Sequence, residues 1–287
     1  MKVALIDSAL LAHRAKYAFR KTALSTPGID NDVIRSEVLY GFMTQTIAVA
    51  RAITPDLFVF AWDSRQSYRR DSYPEYKENR KRDKTLEETE YDNIAFEQFS
   101  RIRRSLIPML GFNNTISVEG LEADDIIASI IATNHEHKYT IVSTDNDLLQ
   151  LLKSNVVMYS PFTKEVTDDK DFIKKWGVLP PKWGLAKAYA GCTTDNVQGI
   201  KGVGMKTAIR YISNKNVRKD RLQAILNNPE IVERNKELVL LPHRMTPPIK
   251  LKEDKLEEMS FIRVFSHYGF DSLLGDMDEW KTLFNLN

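Results

Sequence analysis

One cysteine, Cys192, stands among the 287 residues, so no internal disulfide can staple this chain. The five histidines are scattered, and none joins Cys192 at the spacing of a zinc site. Long apolar runs are also lacking. The most apolar stretch, Ile126–Ala132 (IIASIIA), falls far below a membrane span. The opening MKVALIDSAL has too short an apolar run before Asp7 for a secretory signal. These absences leave a reducing cytoplasm as the expected setting, with no membrane contact. Excess charge of one sign is missing too: 41 Lys and Arg against 39 Asp and Glu give +2. What is present is ordinary globular composition, 43% hydrophobic and 28% charged, which excludes disorder throughout.

Three short apolar runs read as buried strands, Val3–Ile6, Leu57–Trp62 and Tyr139–Val142, with a weaker fourth at Val156–Tyr159. Helical stretches separate them, at Val33–Ala52, about Glu88–Leu110 and Glu122–Thr133. Strands alternating with helices predict an α/β fold with a mostly parallel sheet covered by helices. Beyond about residue 165 the strand signal fades and helices follow, punctuated by Gly and Pro. The expected organisation is an α/β domain over 1–165 and a helical region over 166–287.

Carboxylates follow the strands at once. Val3–Ile6 leads to Asp7, Leu57–Trp62 to Asp63, and Tyr139–Val142 to Asp145 and Asp147. Ligands in parallel α/β sheets bind beyond the carboxyl ends of the strands, so these groups are expected at one edge. Glu122, Asp124 and Asp125 open the apolar helix. From Glu119 to Asp147 there are seven acids and one Lys. Packed carboxylates repel one another, and a divalent cation removes that cost. Oxygen-only donors point to Mg²⁺ or Mn²⁺. Any single one of these acids is explained as well by helix capping or an Asx-turn; the convergence of several loops is what implies a metal site.

Arg65–Lys84 reads RQSYRRDSYPEYKENRKRDK, eight basic residues against four acidic. Tyr68, Tyr73 and Tyr76 interleave with Arg69, Arg70, Lys77, Arg80, Lys81 and Arg82. Basic side chains suit phosphates and tyrosine rings suit stacked bases. A helix after Pro74 would put Lys77 and Arg80 on one face. A solvated surface helix is the plainer alternative.

Gly199-Ile200-Lys201-Gly202-Val203-Gly204-Met205-Lys206-Thr207 misses the phosphate-loop pattern, because Met205 separates Gly204 from Lys206. A helix-hairpin-helix over about 185–213 fits better. Its glycines would admit a phosphate, and N–H groups at the next helix start, with Lys201, Lys206 and Thr207, would hold a DNA backbone.

Together these residues resemble the 5′-nuclease, or flap endonuclease, family over about residues 1–215, in the stand-alone bacteriophage 5′-exonuclease (ribonuclease H) type. What remains is too short for a polymerase domain. The resemblance implies a PIN-like fold with a helical arch at about 65–104. It implies two metal ions, Asp7, Asp63, Glu122 and Asp124 holding the first, Asp145, Asp147 and Asp195 the second, with Asp125 in support. Lys77 and Arg80 would grip the scissile phosphate, Tyr76 would stack on a base, and the helix-hairpin-helix often carries K⁺. The family usually reads G-D-x-x-D-N before the hairpin, whereas Gly191-Cys192-Thr193-Thr194-Asp195-Asn196 puts a cysteine at the first Asp. The second metal is therefore expected to bind weakly. The implied function is two-metal hydrolysis of phosphodiesters near 5′ ends and junctions: 5′ flaps, nicks, single-stranded 5′ ends and RNA–DNA hybrids. Primer removal is the implied setting, by a monomer working beside replication proteins. A branched-DNA-binding protein with a degenerate second metal site is the alternative that Cys192 favours, and a small-molecule phosphohydrolase needs neither hairpin nor basic segment.

Overall fold

The computed structural model describes residues 1–25, 36–80 and 83–286. The start of the predicted helix at Val33, and Lys81 and Arg82 of the basic segment, lie outside them. The described chain runs β1 (Lys2–Asp7), α1 (Ser8–Ser25), α2 (Glu37–Ile53), β2 (Leu57–Ala61), α3 (Tyr68–Ser72), α4 (Leu86–Arg101), α5 (Ile107–Met109) and β3 (Thr115–Ile116). It continues with α6 (Ala123–Thr133), β4 (Lys138–Val142), β5 (Val156–Tyr159), β6 (Val166–Thr167), α7 (Asp169–Trp176), α8 (Lys182–Ala190), β7 (Gly191–Cys192) and β8 (Val197–Gln198). Last come α9 (Met205–Ile212), α10 (Lys219–Leu226), α11 (Pro229–Val239), α12 (Glu258–His267), α13 (Asp271–Gly275) and α14 (Met277–Phe284). Strand order in the main sheet is β3-β2-β1-β4-β5-β6, and β7 and β8 form a separate antiparallel pair. Helices flank this mostly parallel sheet, as expected. No described helix is long and apolar enough to cross a membrane.

Two compact units emerge, and they do not follow the expected boundary at 165. The first comprises Met1–Trp62, Asp83–Ile116 and Leu251–Asn287. In it β1, β2 and β3 run parallel, with Leu5 opposite Val59 and Phe60 opposite Thr115. All five residues of β2 are buried, as a strand covered on both faces requires. Phe58 and Phe112 meet Phe284, and Phe112 also meets Phe261, both from the C-terminal helices, while Phe60 packs on Phe112. That aromatic cluster is why the last segment belongs to this unit. The helix expected near Glu88–Leu110 starts at a Thr85–Glu88 capping box and passes through a π-helical segment, Ile102–Leu106.

The second unit comprises Asp63–Arg82 and Ser117–Lys250. Here β4 and β5 are parallel and β6 returns antiparallel. The apolar helix α6 is buried along most of its length. Helices α8, α9 and α11 pack together, with the β7–β8 hairpin between α8 and α9 in sequence. The expected arch at 65–104 is not a continuous helix. Its first part, α3 and a short 3₁₀ turn at Glu78–Arg80, lies in this unit, while α4 lies in the first.

Candidate functional site

In the second unit, Glu122 stands at the N-terminus of α6 and offers two carboxylate oxygens. Oε1 accepts from Lys77 Nζ at 2.8 Å, and Oε2 accepts from the Tyr76 hydroxyl at 3.0 Å. Its backbone is held from behind, since Glu122 N–H donates to Asp125 Oδ2 at 3.1 Å. Asp125 is fully buried; it takes two bonds from the Arg69 guanidinium, at 2.5 and 2.7 Å, and a third from the His243 N–H at 2.8 Å. Burial works to raise the Asp125 pKa, but Arg69 outweighs it and holds the carboxylate below its usual range. Asp63 follows β2 and accepts the Ala123 N–H at 2.8 Å. Its side chain keeps an open face to solvent. Even so, the protein crowded around the carboxyl, and then the Glu122 charge, push its pKa up. Asp124 sits in the first turn of α6, half-buried.

A second group lies around the turn after β4. Asp145 caps a short 3₁₀ turn by accepting the Asp147 N–H at 2.8 Å. The donor atoms of Asp147, Cys192 and Asp195 lie within 4.8 Å of one another. Lys187 of α8, 8% exposed, forms an ion pair with Asp147. Arg80 Nη2 donates to Asp195 Oδ1 at 2.7 Å, and Cys192 Sγ meets Thr194 Oγ1 at 3.0 Å.

These residues fit divalent cations. The Glu122 charge adds to the proton affinity of Asp63 in the way that a cation relieves, and three donors converge beside Asp145. The fit is better at the first group, which is all oxygen, than at the second, where Cys192 brings a soft sulfur. Asp7 belongs to the first unit. It ends β1, and its carboxylate accepts the Leu10 N–H at 3.2 Å.

Two sequence-predicted roles change. Arg69, expected on DNA, is 2% exposed and spent on Asp125 and the Leu238 carbonyl. Tyr76, expected to stack on a base, has its ring buried and its hydroxyl on Glu122; burial and the nearby Glu122 charge hold that hydroxyl well above its usual pKa. Asp125 is committed to Arg69 and acts on Glu122 through the backbone. The helix expected after Pro74 is a single 3₁₀ turn, with Lys77 before it at φ 56°. Arg70 is exposed on α3.

A loop over Gly199–Gly204 joins β8 to α9. Gly199 approaches Ala190 so closely that a Cβ would stand 2.2 Å from its carbonyl, and Gly202 adopts φ 80°. Gly204 precedes α9, with no side chain capping the helix start, and Lys201 and Lys206 are exposed beside it; Thr207 is half-buried in the first turn. Sequence reasoning missed Lys187, Asn79 and Asn196. Lys187 carried one signal, a lone charge between Ala186 and Ala188.

Comparison with known proteins identifies a family. The model of the 5′-3′ exonuclease N-terminal, resolvase-like domain matches residues 2–177. DNA polymerase I of Mycobacterium tuberculosis is 31% identical over 288 residues, which cover 94% of this chain and 30% of that protein. The chain therefore spans less than a third of such relatives. A 5′-3′ exonuclease of Bacillus subtilis is 30% identical over 223 residues, covering 74% of this chain and 69% of that one. Among solved structures, the bacteriophage T5 D15 flap endonuclease with DNA and metal ions superposes with a TM-score of 0.67, at 20% identity, over 97% of this chain and 98% of that one. That likeness speaks for the fold. On the family model and these relatives, the chain belongs to the 5′-3′ exonuclease family with an N-terminal resolvase-like domain.

Proposed function

We propose that this chain is a divalent-metal-dependent, structure-specific 5′-nuclease that hydrolyses phosphodiesters near 5′ ends and junctions. The observation that carries the reading is the placement of Lys77 and Arg80 directly on carboxylates of the two donor groups, Glu122 and Asp195. Cations that reach those oxygens also reach a phosphate held there.

Asp63, Glu122 and Asp124 would hold one ion; Asp145, Asp147 and Asp195 would hold the other. A bound divalent ion supplies Lewis acidity and an acidified water at neutral pH. The chain's residues do the rest. Lys77 and Arg80 neutralise charge growing on the phosphate. Burial works to lower the Lys77 pKa, but Glu122 and Asp195 outweigh it and hold its ammonium charged well beyond neutral pH. Arg69 and Asp125 fix the backbone from which Glu122 projects. The N–H groups at the start of α9, with Lys201 and Lys206, hold a duplex backbone without reading its sequence.

Mg²⁺ or Mn²⁺ is the proposed ion, with K⁺ at the hairpin. DNA flaps, nicks and single-stranded 5′ ends are the proposed substrates, with RNA–DNA hybrids cut in primer removal beside replication proteins in the cytoplasm. Cys192 favours one second reading, a branched-DNA binder that cuts weakly. A cleavage assay separates the two. A 5′-flap duplex, a nicked duplex and an RNA–DNA hybrid are each incubated with Mg²⁺ and with EDTA. The expected result is Mg²⁺-dependent cutting that Asp63→Asn abolishes while flap binding survives, because DNA affinity rests mainly on phosphate contacts elsewhere. Binding without cutting in the unaltered chain would favour the second reading.

A further inference from the structure

The segment Glu75–Arg80 is fastened across the donor groups by two kinds of bond. One kind has no share in metal binding. Lys77 N–H donates to the Asp195 carbonyl at 2.8 Å. Asn79 Nδ2 donates to the Thr193 carbonyl, and Asn196 Nδ2 to the Glu75 carbonyl, each at 2.8 Å. The other kind draws on the proposed metal ligands: Lys77 and Tyr76 take the two oxygens of Glu122, and Arg80 takes Asp195 Oδ1. Lys77 stands at φ 56°, a left-handed conformation that a lysine keeps only where its surroundings hold it.

An oxygen that accepts an ammonium hydrogen at 2.8 Å cannot also take a small divalent ion on the same lone pair, and the two cations would repel each other. Ion binding at Glu122 and the Lys77 ion pair are therefore competitors, and so are ion binding at Asp195 and the Arg80 ion pair. We propose that Glu75–Arg80 is a latch released by the divalent ion, with Asn79 and Asn196 as positioning residues that set how firmly it closes. Ion binding turns Lys77 and Arg80 off their carboxylates and makes them available to the substrate phosphate. By linkage, a phosphate that holds Lys77 and Arg80 away strengthens ion binding by the same factor. The inference rests on the proposed function for the identity of the ion and of the phosphate.

Amide hydrogen exchange of the whole chain, in EDTA and in saturating Mg²⁺, tests it. The peptide covering residues 75–80 is protected in EDTA through the Lys77 bond to Asp195 and exchanges roughly tenfold faster or more in Mg²⁺. Asn79→Ala with Asn196→Gly removes two fasteners and leaves every proposed ligand in place; glycine accepts the φ of 55° at position 196. That double variant exchanges quickly in both conditions. Its flap affinity in EDTA rises toward the affinity that the unaltered chain shows with Ca²⁺. Manganese titration followed by electron paramagnetic resonance reports ion binding separately. A chain that binds Mn²⁺ and cuts flaps, with exchange at 75–80 unchanged or slowed by Mg²⁺, overturns the latch and leaves the proposed function standing. A chain that binds no Mn²⁺ overturns both.

Discussion

Two residues show how neighbouring carboxylates in one cluster take different partners. Asp125 and Glu122 are three apart in sequence, yet one is sealed against Arg69 and the other faces Lys77 and Tyr76. Breaking a buried ion pair from one side leaves an uncompensated charge. Arg69→Met should therefore cost about 3–5 kcal/mol of stability, read by urea denaturation. Its loss of cutting should follow the loss of folded protein; a variant as stable as the parent would show that the pair carries little. Cys192 poses the opposite question. Its sulfur stands with Asp147 and Asp195 in a donor group, and sulfur is a poor match for Mg²⁺. Cys192→Asp restores oxygen there and should lower the Mg²⁺ concentration for half-maximal cutting, while Mn²⁺ outperforms Mg²⁺ in the parent. If the Mg²⁺ titration stays where it was, Cys192 is a small buried hydrophobe and no ligand.

At the scale of elements, the strands were legible and the straps were not. β1, β2, β4 and β5 fall within a residue or so of the apolar runs that announced them, because buried parallel strands concentrate Val, Ile and Phe. β3, β6, β7 and β8 are two residues each, too short to leave a period. The acids at strand ends were legible for the same reason as the strands. The roles of Arg69 and Tyr76 were not, because composition cannot say whether a basic or aromatic side chain faces water or a buried carboxylate. The extended stretch Lys252–Lys255 was invisible too. It binds Gly111, Asn113 and Asn114 through main-chain and amide bonds. Burial pushes Asp254 in that stretch up to about 6, despite bonds from Asn113 and Asn114. A carboxyl whose folded pKa lies above its unfolded value binds its proton more tightly when folded. Its contribution is thus greatest at acid pH and is lost as pH rises through about 6. Asp254→Asn keeps the acceptor oxygen and removes the titration. It should stabilise the chain at pH 7.5 by up to ~2 kcal/mol, with the difference closing by pH 4. Urea midpoints at the two pH values check this, and a pH-independent difference would reject it.

At the scale of the whole chain, the two units are interleaved: the first is assembled from three stretches and the second from two. A composition shift read along the chain yields one boundary, and no single boundary could describe this arrangement. The C-terminal stretch Leu251–Asn287 makes the point energetically. Trp280 is fully buried against Phe261, Phe265 and Phe284, and Phe284 stacks on Phe58 of β2 with ring centroids 5.1 Å apart. Phe112 meets both Phe261 and Phe284. These helices are therefore part of the hydrophobic core around β2, although the expected family resemblance ended near residue 215. Ending the chain after Lys250 strips that cover from Phe58 and Phe112 and should give a protein that binds hydrophobic dyes and melts early. Trp280→Ala is the milder version. Truncating a buried aromatic costs about 3–5 kcal/mol through lost transfer energy and the cavity left behind. Its denaturation midpoint should fall accordingly, while Lys281→Ala, on the half-exposed side of the same helix, leaves it almost where it was. Equal losses for the two variants would mean that α14 is held by its surface ion pair to Glu258 and not by the aromatic core.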